Sequence, residues 1–264
     1  MNIVLISDAF PPLRSSAAVQ LRDLSREFEE KKNKLTVMLP DSNIKSNWIL
    51  ENMGNIRILR LKCPPIKDIS YLRRSINELL MPYFMYKNLK KSPYLKNKYD
   101  GIIWYSPSIF HGPFIQRLKK ISKCNAYLII RDIFPEWAVD IGVMKRGAIY
   151  KFFNFIAQYQ YSIADIIGVQ TEGNLKYFKD IKNKNNTKLE VLQNWLDSPL
   201  YKKCSIRINE TKLKNRFILI YAGNMGVNNG MDTLIDLASH FKNRDDLGFL
   251  FVGRGTDCCF WFVS

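Results

Sequence analysis

The sequence contains little histidine, and its few cysteines are spaced in a way that argues against disulfides and metal sites. Only two of the 264 residues are histidine, and five are cysteine. The cysteines have neither CxxC spacing nor the density of a disulfide-stabilised scaffold, so we expect reduced thiols and no metal site. They are Cys63, Cys124, Cys204, Cys258 and Cys259. A small secreted protein held together by disulfides is therefore excluded.

Long apolar runs and acidic residues are also scarce. No run approaches the roughly 18 to 20 apolar residues that a membrane-spanning helix needs. Residues 1–6 are typical of a first strand and not of a basic leader, so we expect a cytoplasmic protein. The 24 Asp and Glu face 40 Lys and Arg, which gives a formal net charge of +16. This excess favours anionic partners, namely phosphates, nucleic acid or acidic lipid.

The chain does contain a regular alternation of short apolar runs with segments long enough for helices. Apolar residues make up 47% of the sequence, which is enough for a buried core, and the alternation predicts a parallel α/β fold. After the first run, the spacing of Ala17, Leu21, Leu24 and Phe28 predicts an amphipathic helix, with Ser16 as its N-cap. The predicted strands are 3–6, 35–39, 56–61, 101–105, 126–130, 165–170, 189–192, 217–222 and 247–252.

A second strand-turn-helix unit begins late in the chain. The apolar run 217–222 is followed by a turn rich in small residues, 223–230, and by a helical pattern from Met231. Glycines let backbone N–H groups approach a ligand closely, and the positive end of the following helix favours an anion. The turn is therefore predicted to hold a phosphate.

The two units predict two domains joined by a linker. The stretch 196–216 has several lysines, Pro199 and little periodicity, which is typical of an interdomain connection. We expect a Rossmann-like domain over 1–195 and the start of a second, incomplete Rossmann-like domain over 217–264.

Five segments, taken as an ordered set, resemble a known family. They are Asp8-Ala9-Phe10-Pro11-Pro12, Arg131-Asp132-Ile133-Phe134-Pro135-Glu136, Leu192-Gln193-Asn194-Trp195-Leu196-Asp197, Tyr221-Ala222-Gly223-Asn224-Met225-Gly226 and Phe251-Val252-Gly253-Arg254-Gly255. The set is similar to retaining glycosyltransferases of family 4, which have the two-domain GT-B fold. Within the family it most resembles the bacterial branch that assembles surface polysaccharide, including proteins assigned as L-fucosamine transferases. The resemblance runs from residue 1 to about Asp257.

The resemblance implies a reaction and its partners. A protein of this branch moves a sugar from a nucleoside diphosphate donor to an undecaprenyl-linked oligosaccharide, in O-antigen or capsule synthesis at the inner membrane face. The amino-terminal domain would bind the acceptor and the carboxyl-terminal domain the nucleotide, with no cofactor and no metal held by a DxD motif. By branch resemblance alone, the sugar would be N-acetyl-L-fucosamine.

Two other functions remain open at this point. A nucleotide-sugar epimerase of the same fold would act on the donor without an acceptor, and donor incubated alone separates the two enzymes. A basic nucleic-acid-binding protein would use the net charge of +16. The basic and aromatic residues lie in no recognisable nucleic-acid module, however, so we expect no nucleic acid partner.

The resemblance also implies two loops that hold the donor phosphates. Their expected ligands are Ser15, Ser16, Gly223, Asn224, Gly226, Asn229 and Arg254. Many relatives carry paired glycines where this chain has the two serines, and an arginine and a lysine where it has the two asparagines. Arg254 or a lysine from elsewhere in the chain is the expected replacement for the missing cations. The alternative is that both loops are ordinary strand-to-helix connections.

Catalytic residues are not assigned by the sequence, although three candidates follow predicted strands. They are His111, Asp132 and Glu136. Open α/β folds bind ligands at the carboxyl ends of their strands. Carboxylates accept pairs of hydrogen bonds from sugar hydroxyls, and Trp137 offers an apolar face. The alternatives are a helix-capping role for the two acids and an incidental histidine.

The segment 57–98 is strongly basic, with 11 Lys and Arg and only two acids. A stripe of Leu72, Ile76, Leu79 and Tyr83 is predicted within it, broken near Pro82. Such a basic, aromatic and amphipathic segment is suited to lie on an anionic membrane. The expected membrane-facing residues are Arg73, Arg74, Lys87, Lys90 and Lys91. The alternative is a solvated basic face above an ordinary core helix.

The composition changes at the end of the sequence. Residues 258–263 form an apolar run without the polar face of a helix, and the pair of donor-binding glutamates that relatives carry in this half is not found. We therefore expect a truncated and inactive form of the enzyme.

Overall fold

The computed structural model of the protein describes residues 1–66, 69–181, 186–197, 207–225 and 229–255. The chain divides into two compact units, Met1–Pro199 and Leu200–Ser264. Residues 198–206 of the predicted linker lie outside the described part of the chain.

An eight-stranded sheet forms the centre of the first unit. Its strands are β1 Asn2–Ile6, β2 Lys34–Asp41, β3 Trp48–Met53, β4 Ile56–Lys62, β5 Gly101–Ser106, β6 Asn125–Ile130, β7 Ile166–Val169 and β8 Lys188–Val191. The sheet order is β3-β4-β2-β1-β5-β6-β7-β8. All neighbouring strands are parallel except the antiparallel pair β3 and β4. Each strand that the sequence predicts within residues 1–195 is confirmed, because each of these apolar runs forms a strand of this sheet.

The sequence prediction missed β3, which is the edge strand of the sheet. It pairs with β4 from Trp48 opposite Leu61 to Met53 opposite Ile56, and Gly54 turns the chain between them with a φ of 62°. The central residues of β3 are exposed. The strand lacks the apolar alternation of a half-buried strand, because its partner and not its own burial holds it in place.

Within the described residues, five α-helices of the first unit have defined bounds. They are α1 Ser16–Glu30, α2 Tyr71–Leu89, α3 Gly112–Ser122, α4 Glu136–Asp140 and α5 Ala148–Ile163. The predicted N-cap of α1 at Ser16 is wrong by one residue. The Ser15 hydroxyl accepts a hydrogen bond from the Ala18 N–H at 3.2 Å, so Ser15 satisfies an N–H group that would otherwise lack a partner.

Helices cover the two faces of this sheet unequally. Residues of α2, α3 and α5 pack on one face in a large core that includes Met85, Phe114 and Tyr161. On the other face, α1 packs through Leu21 over strands β1, β2 and β4. Burial on both faces is what makes the strands of a parallel sheet uniformly apolar.

Helix α2 continues through Pro82, which corrects the predicted break. Proline removes one backbone hydrogen bond from a helix interior, yet Met81, Met85 and Leu89 around it are completely buried. Their packing therefore keeps the helix continuous. Among the described helices, none has the length and apolar character to cross a bilayer.

The described part of the second unit contains two parallel strands, one α-helix and a short 3-10 helix, Ile208–Glu210. Strand β9 (Phe217–Asn224) pairs with β10 (Leu247–Arg254) along their full length. The helix between them, α6 (Met231–His240), buries Met231, Ile235 and Ala238. This is the strand-turn-helix order that the sequence predicted.

Candidate functional site

The first unit has a topological switch point at β1. This strand pairs with β2 on one side and with β5 on the other, so the chain leaves the carboxyl ends of β1 and β5 in opposite directions. Open α/β sheets bind ligands in the crevice that this arrangement creates. Asp8 follows β1, and the segment that ends at His111 follows β5.

His111 is completely buried at this switch point. Neither its Nδ1 nor its Nε2 has a hydrogen-bond partner among the described residues, and Asp8 Oδ1 is also buried without one. Buried polar atoms usually find partners, so these two groups near the switch point are candidate ligand contacts. The sequence named the loop that begins at Asp8 but not Asp8 as a ligand; its position directly after a strand was the available signal.

Burial lowers the pKa of His111, while the negative charge of Asp8 acts in the opposite direction. The imidazole is therefore neutral near pH 7. A neutral imidazole offers one N–H donor and one acceptor nitrogen, which suits a sugar hydroxyl.

A cleft of about 330 Å³ is lined by Asp8 and by residues 107–110, which immediately precede the buried His111. Arg74 and Glu78 of α2 lie on one wall, where the guanidinium contacts the carboxylate at 2.8 Å. Asp132 and Trp137 lie on another wall. Burial raises the pKa of Glu78 and that of Asp132. The cleft thus combines an apolar ring with carboxylates whose hydration is reduced.

A smaller pocket of about 210 Å³ shares Asp132 and Trp137 with the cleft. Arg131, Glu136 and Asn174 also line it. Arg131 is largely buried, and its Nε and Nη2 have no partner among the described residues. Donors, carboxylates and an exposed aromatic ring are the groups that bind a monosaccharide.

Glu136 differs from Asp132 in its surroundings. It accepts hydrogen bonds from the Tyr150 hydroxyl at 2.6 Å and from Arg146 at 3.2 Å. Pro135 is the N-cap residue of α4, and Glu136 is the first residue of that helix. Because two side chains already use its oxygens, Glu136 is a less available ligand than Asp132, which has no hydrogen bond from the described residues.

Ser15 and Ser16 lie at the start of α1. The Ser15 oxygen accepts the cap hydrogen bond, and its O–H proton can still donate to an anion, as can Ser16 and the backbone N–H groups of this loop. The positive end of a helix favours an anion here.

In the second unit, four of the predicted phosphate ligands lie together at the carboxyl ends of β9 and β10. Asn224 is opposite Arg254 in the strand register, one position after Gly223 and Gly253. The Asn229 side-chain amide donates to the Asn224 carbonyl oxygen. Gly226 lies outside the described residues.

The glycines of this turn have a structural explanation as well. A side chain at Gly253 would collide with the Gly223 carbonyl oxygen, and one at Gly255 would collide with the backbone of Met225. The two strand ends therefore approach each other more closely than residues with a Cβ atom allow.

Another groove lies on the opposite face of the first sheet. It encloses about 650 Å³ between α1 and the segment around Trp195, with Phe28 and Ile129 among its walls. It is mostly apolar and lies away from the switch point, so we do not place the site there. Within the described residues, no three His, Cys, Asp or Glu side chains form a metal-binding group.

No protein-family model matches the chain. In sequence it is similar to the probable glycosyltransferase WbjE of Pseudomonas aeruginosa, with 27% identity over 136 residues. The match covers 48% of this chain and 33% of that protein. The matched part of this chain thus spans about a third of the length of the curated relative.

Solved structures share the fold. One is a UDP-forming α,α-trehalose-phosphate synthase from Burkholderia xenovorans in complex with glucose-6-phosphate, with a TM-score of 0.65 and 12% identity over 97% of this chain and 66% of that one. Another is the sucrose-phosphate synthase of Thermosynechococcus elongatus, with a TM-score of 0.60 and 11% identity over 95% of this chain and 70% of that one. The chain therefore has a mixed α/β fold with a large parallel sheet that matches GT-B glycosyltransferases, as predicted.

Proposed function

We propose that the chain belongs to a glycosyltransferase that moves a sugar from a nucleoside diphosphate donor to a lipid-linked oligosaccharide. The observation that carries this proposal is the pair of buried polar groups without partners, Asp8 and His111, at the switch point of a GT-B-type sheet. The sequence similarity to a probable glycosyltransferase supports it. That the trehalose-phosphate synthase is UDP-forming supports a nucleoside diphosphate as the leaving group.

The first unit would bind the acceptor in the cleft beside α2. Asp132 is exposed and has no hydrogen bond among the described residues, so it would accept bonds from sugar hydroxyls. Trp137 is 41% exposed and would stack on the apolar face of a ring. The neutral imidazole of His111 would donate to or accept from a hydroxyl group.

The second unit would bind the donor diphosphate. Backbone N–H groups of a small-residue turn stabilise the negative charge that grows on a leaving diphosphate. Gly223, Asn224, Asn229 and Arg254 lie together at that turn. The proposal has four finer parts. They are retention at the anomeric carbon, membership of family 4, a place in O-antigen or capsule synthesis, and N-acetyl-L-fucosamine as the sugar.

A lipid-linked acceptor is supported by apolar side chains on both sides of the cleft. On α2, Leu72, Ile76 and Tyr83 are exposed instead of packed in the core. On the opposite side, Val143 and Phe152 are exposed as well, near the wall residue Trp137. Exposed apolar patches of this kind occur at membrane interaction sites, which supports peripheral binding at the inner membrane.

Radiolabelled sugar transfer tests the proposal. The longest chain that the gene encodes is incubated with a panel of nucleoside diphosphate sugars and an undecaprenyl-linked oligosaccharide. We expect label in the lipid fraction with one donor, and a loss of about 100-fold or more in Asp132→Asn, the range seen when a single polar contact to the transition state is removed. The matched control is Asp140→Asn in the neighbouring pocket.

Absence of transfer with every donor would contradict the proposal. Conversion of the donor in the absence of acceptor would identify an epimerase instead. Equal losses of transfer in Asp132→Asn and Asp140→Asn would show that Asp132 has no special role in the site. They would not contradict the sugar-transfer activity itself.

A further inference from the structure

A second polar pocket lies at the carboxyl edge of the first sheet, away from the cleft that holds Asp132. It encloses about 490 Å³ at the ends of β2 and β4, beneath the last turn of α2. Three lysines line it: Lys62 at the end of β4, Lys87 in α2, and Lys91 one turn further on. We call this the lysine pocket.

No carboxylate lines the lysine pocket among the described residues. The acidic side chains of the flanking strands, Asp41 and Glu51, both contact Arg60, at 3.3 and 2.9 Å. Within the described part of the chain the three ammonium groups form no ion pair; those of Lys62 and Lys91 donate to neutral oxygens, the Lys45 carbonyl at 3.1 Å and Asn47 Oδ1 at 3.2 Å. Like charges gathered in one cavity repel each other, and a bound anion removes that repulsion.

The backbone around the lysine pocket is held in place by buried or aromatic side chains. The Asn88 amide donates to the Lys62 carbonyl oxygen, and Asn88 is buried. The Trp48 indole N–H donates to the Lys91 carbonyl oxygen at 3.1 Å. The exposed lysine side chains thus extend from two fixed places, the end of β4 and the end of α2.

We propose that the lysine pocket binds a phosphate-bearing group. Lysine ammonium groups bind phosphate oxygens as compact point charges, and the Ser42 hydroxyl and Asn47 amide in the wall can donate further hydrogen bonds. The pocket takes either a free pyrophosphate or the phosphate of an anionic lipid, since both present the same oxygens. This assignment is independent of sugar transfer and stands if the enzyme class is different.

A matched set of lysines exists at the opposite, amino-terminal edge of the sheet. Lys34, Lys96 and Lys98 line a groove there with Arg57. That groove lies away from the strand ends where open α/β sheets bind ligands. Replacing these lysines changes the net charge by the same amount and serves as the control.

Binding of inorganic pyrophosphate to the whole chain, measured by calorimetry, tests the proposal. We expect saturable binding that weakens about 100-fold in Lys62→Gln/Lys87→Gln/Lys91→Gln, because each lysine near an anion contributes about a factor of five. Lys34→Gln/Lys96→Gln/Lys98→Gln should change the affinity less than about threefold. Replacing the pocket lysines by arginine should restore most of the binding. No saturable binding, or equal losses in both glutamine variants, would overturn the proposal.

Sedimentation with vesicles distinguishes a lipid phosphate from a soluble phosphate as the ligand of the lysine pocket. Sedimentation with vesicles of 30% phosphatidylglycerol in phosphatidylcholine is compared between the two glutamine variants. Loss of sedimentation in the pocket variant alone, with displacement by pyrophosphate, identifies a lipid phosphate. Unchanged sedimentation together with the calorimetric loss identifies a soluble phosphate. Thermal unfolding of each variant confirms that the fold is retained.

Discussion

The Tyr127 hydroxyl on β6 donates a hydrogen bond to Glu190 Oε1 on β8 at 2.8 Å. The two residues lie on either side of β7, and the Tyr127 hydroxyl is the nearest group to the position that a side chain would take at Gly168. The missing Cβ of Gly168 therefore makes room for a bond between strands that are not neighbours.

Gly168→Ala should destabilise the first unit. A methyl group there would collide with the Tyr127 hydroxyl and ring and with Leu192 Cβ, and overpacking of this kind costs about 1 to 3 kcal/mol. Urea unfolding measures the change. Gly101→Ala is the matched control, because a Cβ at Gly101 meets nothing within 4 Å. Equal effects of the two substitutions would contradict the close contact.

The hydrogen bond between Tyr127 and Glu190 predicts that the stability of the fold depends on pH. The Tyr127 hydroxyl is the main cause that lowers the pKa of Glu190, with a smaller contribution from Lys188. A carboxyl whose pKa is lower in the folded state stabilises it above the ordinary pKa, and this stabilisation is lost as the pH falls through the folded value. The stability difference between the wild type and Tyr127→Phe should therefore narrow from pH 6 to pH 3. A constant difference would show that the Glu190 charge is not involved.

The burial of His111 predicts a second pH dependence of the free energy of unfolding, between about pH 7 and pH 5. Burial lowers its pKa below the ordinary value of about 6.5, and Asp8 only partly offsets this. Below that pH the unfolded chain takes up a proton that the folded chain does not, so the free energy of unfolding should fall as the pH falls from about 7 to 5. His111→Gln removes the titrating group and should flatten this slope. An unchanged slope would mean that the pKa of His111 is the same in the folded and the unfolded chain.

The exposed face of α2 predicts membrane binding. Leu72, Ile76 and Leu79 are 75%, 50% and 46% exposed, so replacing them by asparagine should leave thermal stability unchanged. Sedimentation with anionic vesicles should decrease at least tenfold, because apolar area enters the interface on binding. Leu196→Asn, a residue 74% exposed outside this helix, is the control. Full retention of sedimentation in the triple variant would contradict docking through α2.

The basic residues that the sequence predicted to face the membrane have different surroundings in the structure. Arg74 contacts Glu78 and lines the cleft, while Lys87 and Lys91 line the lysine pocket. The Lys90 ammonium lies 5.4 Å from the centre of the Tyr86 ring, and Arg73 is exposed. A charge count along the sequence cannot separate these roles, because it does not record which side chains meet.

The sequence by itself determined the α/β alternation of this protein. Runs such as 3–6 and 217–222 form strands because their apolar residues are contiguous and are bounded by turn-forming or polar residues. It also determined the strand-turn-helix unit from 217 onward, since glycine and helical periodicity are local signals. The N-cap of α1 was predicted within one residue for the same reason, because Ser15 and Ser16 are adjacent serines with nearly equal capping ability.

Only the tertiary structure decided which distant residues meet. Asp8 and the buried His111 come close enough to interact electrostatically because β1 and β5 are neighbours in the sheet, and neither residue carries a local signal of that pairing. Strand β3 exists because β4 lies beside it, and α2 continues through Pro82 because its packed side chains offset a lost hydrogen bond. Long-range pairing and packing add free energy that short-range patterns do not contain, so the positions of the cleft and of the lysine pocket follow from the folded chain alone.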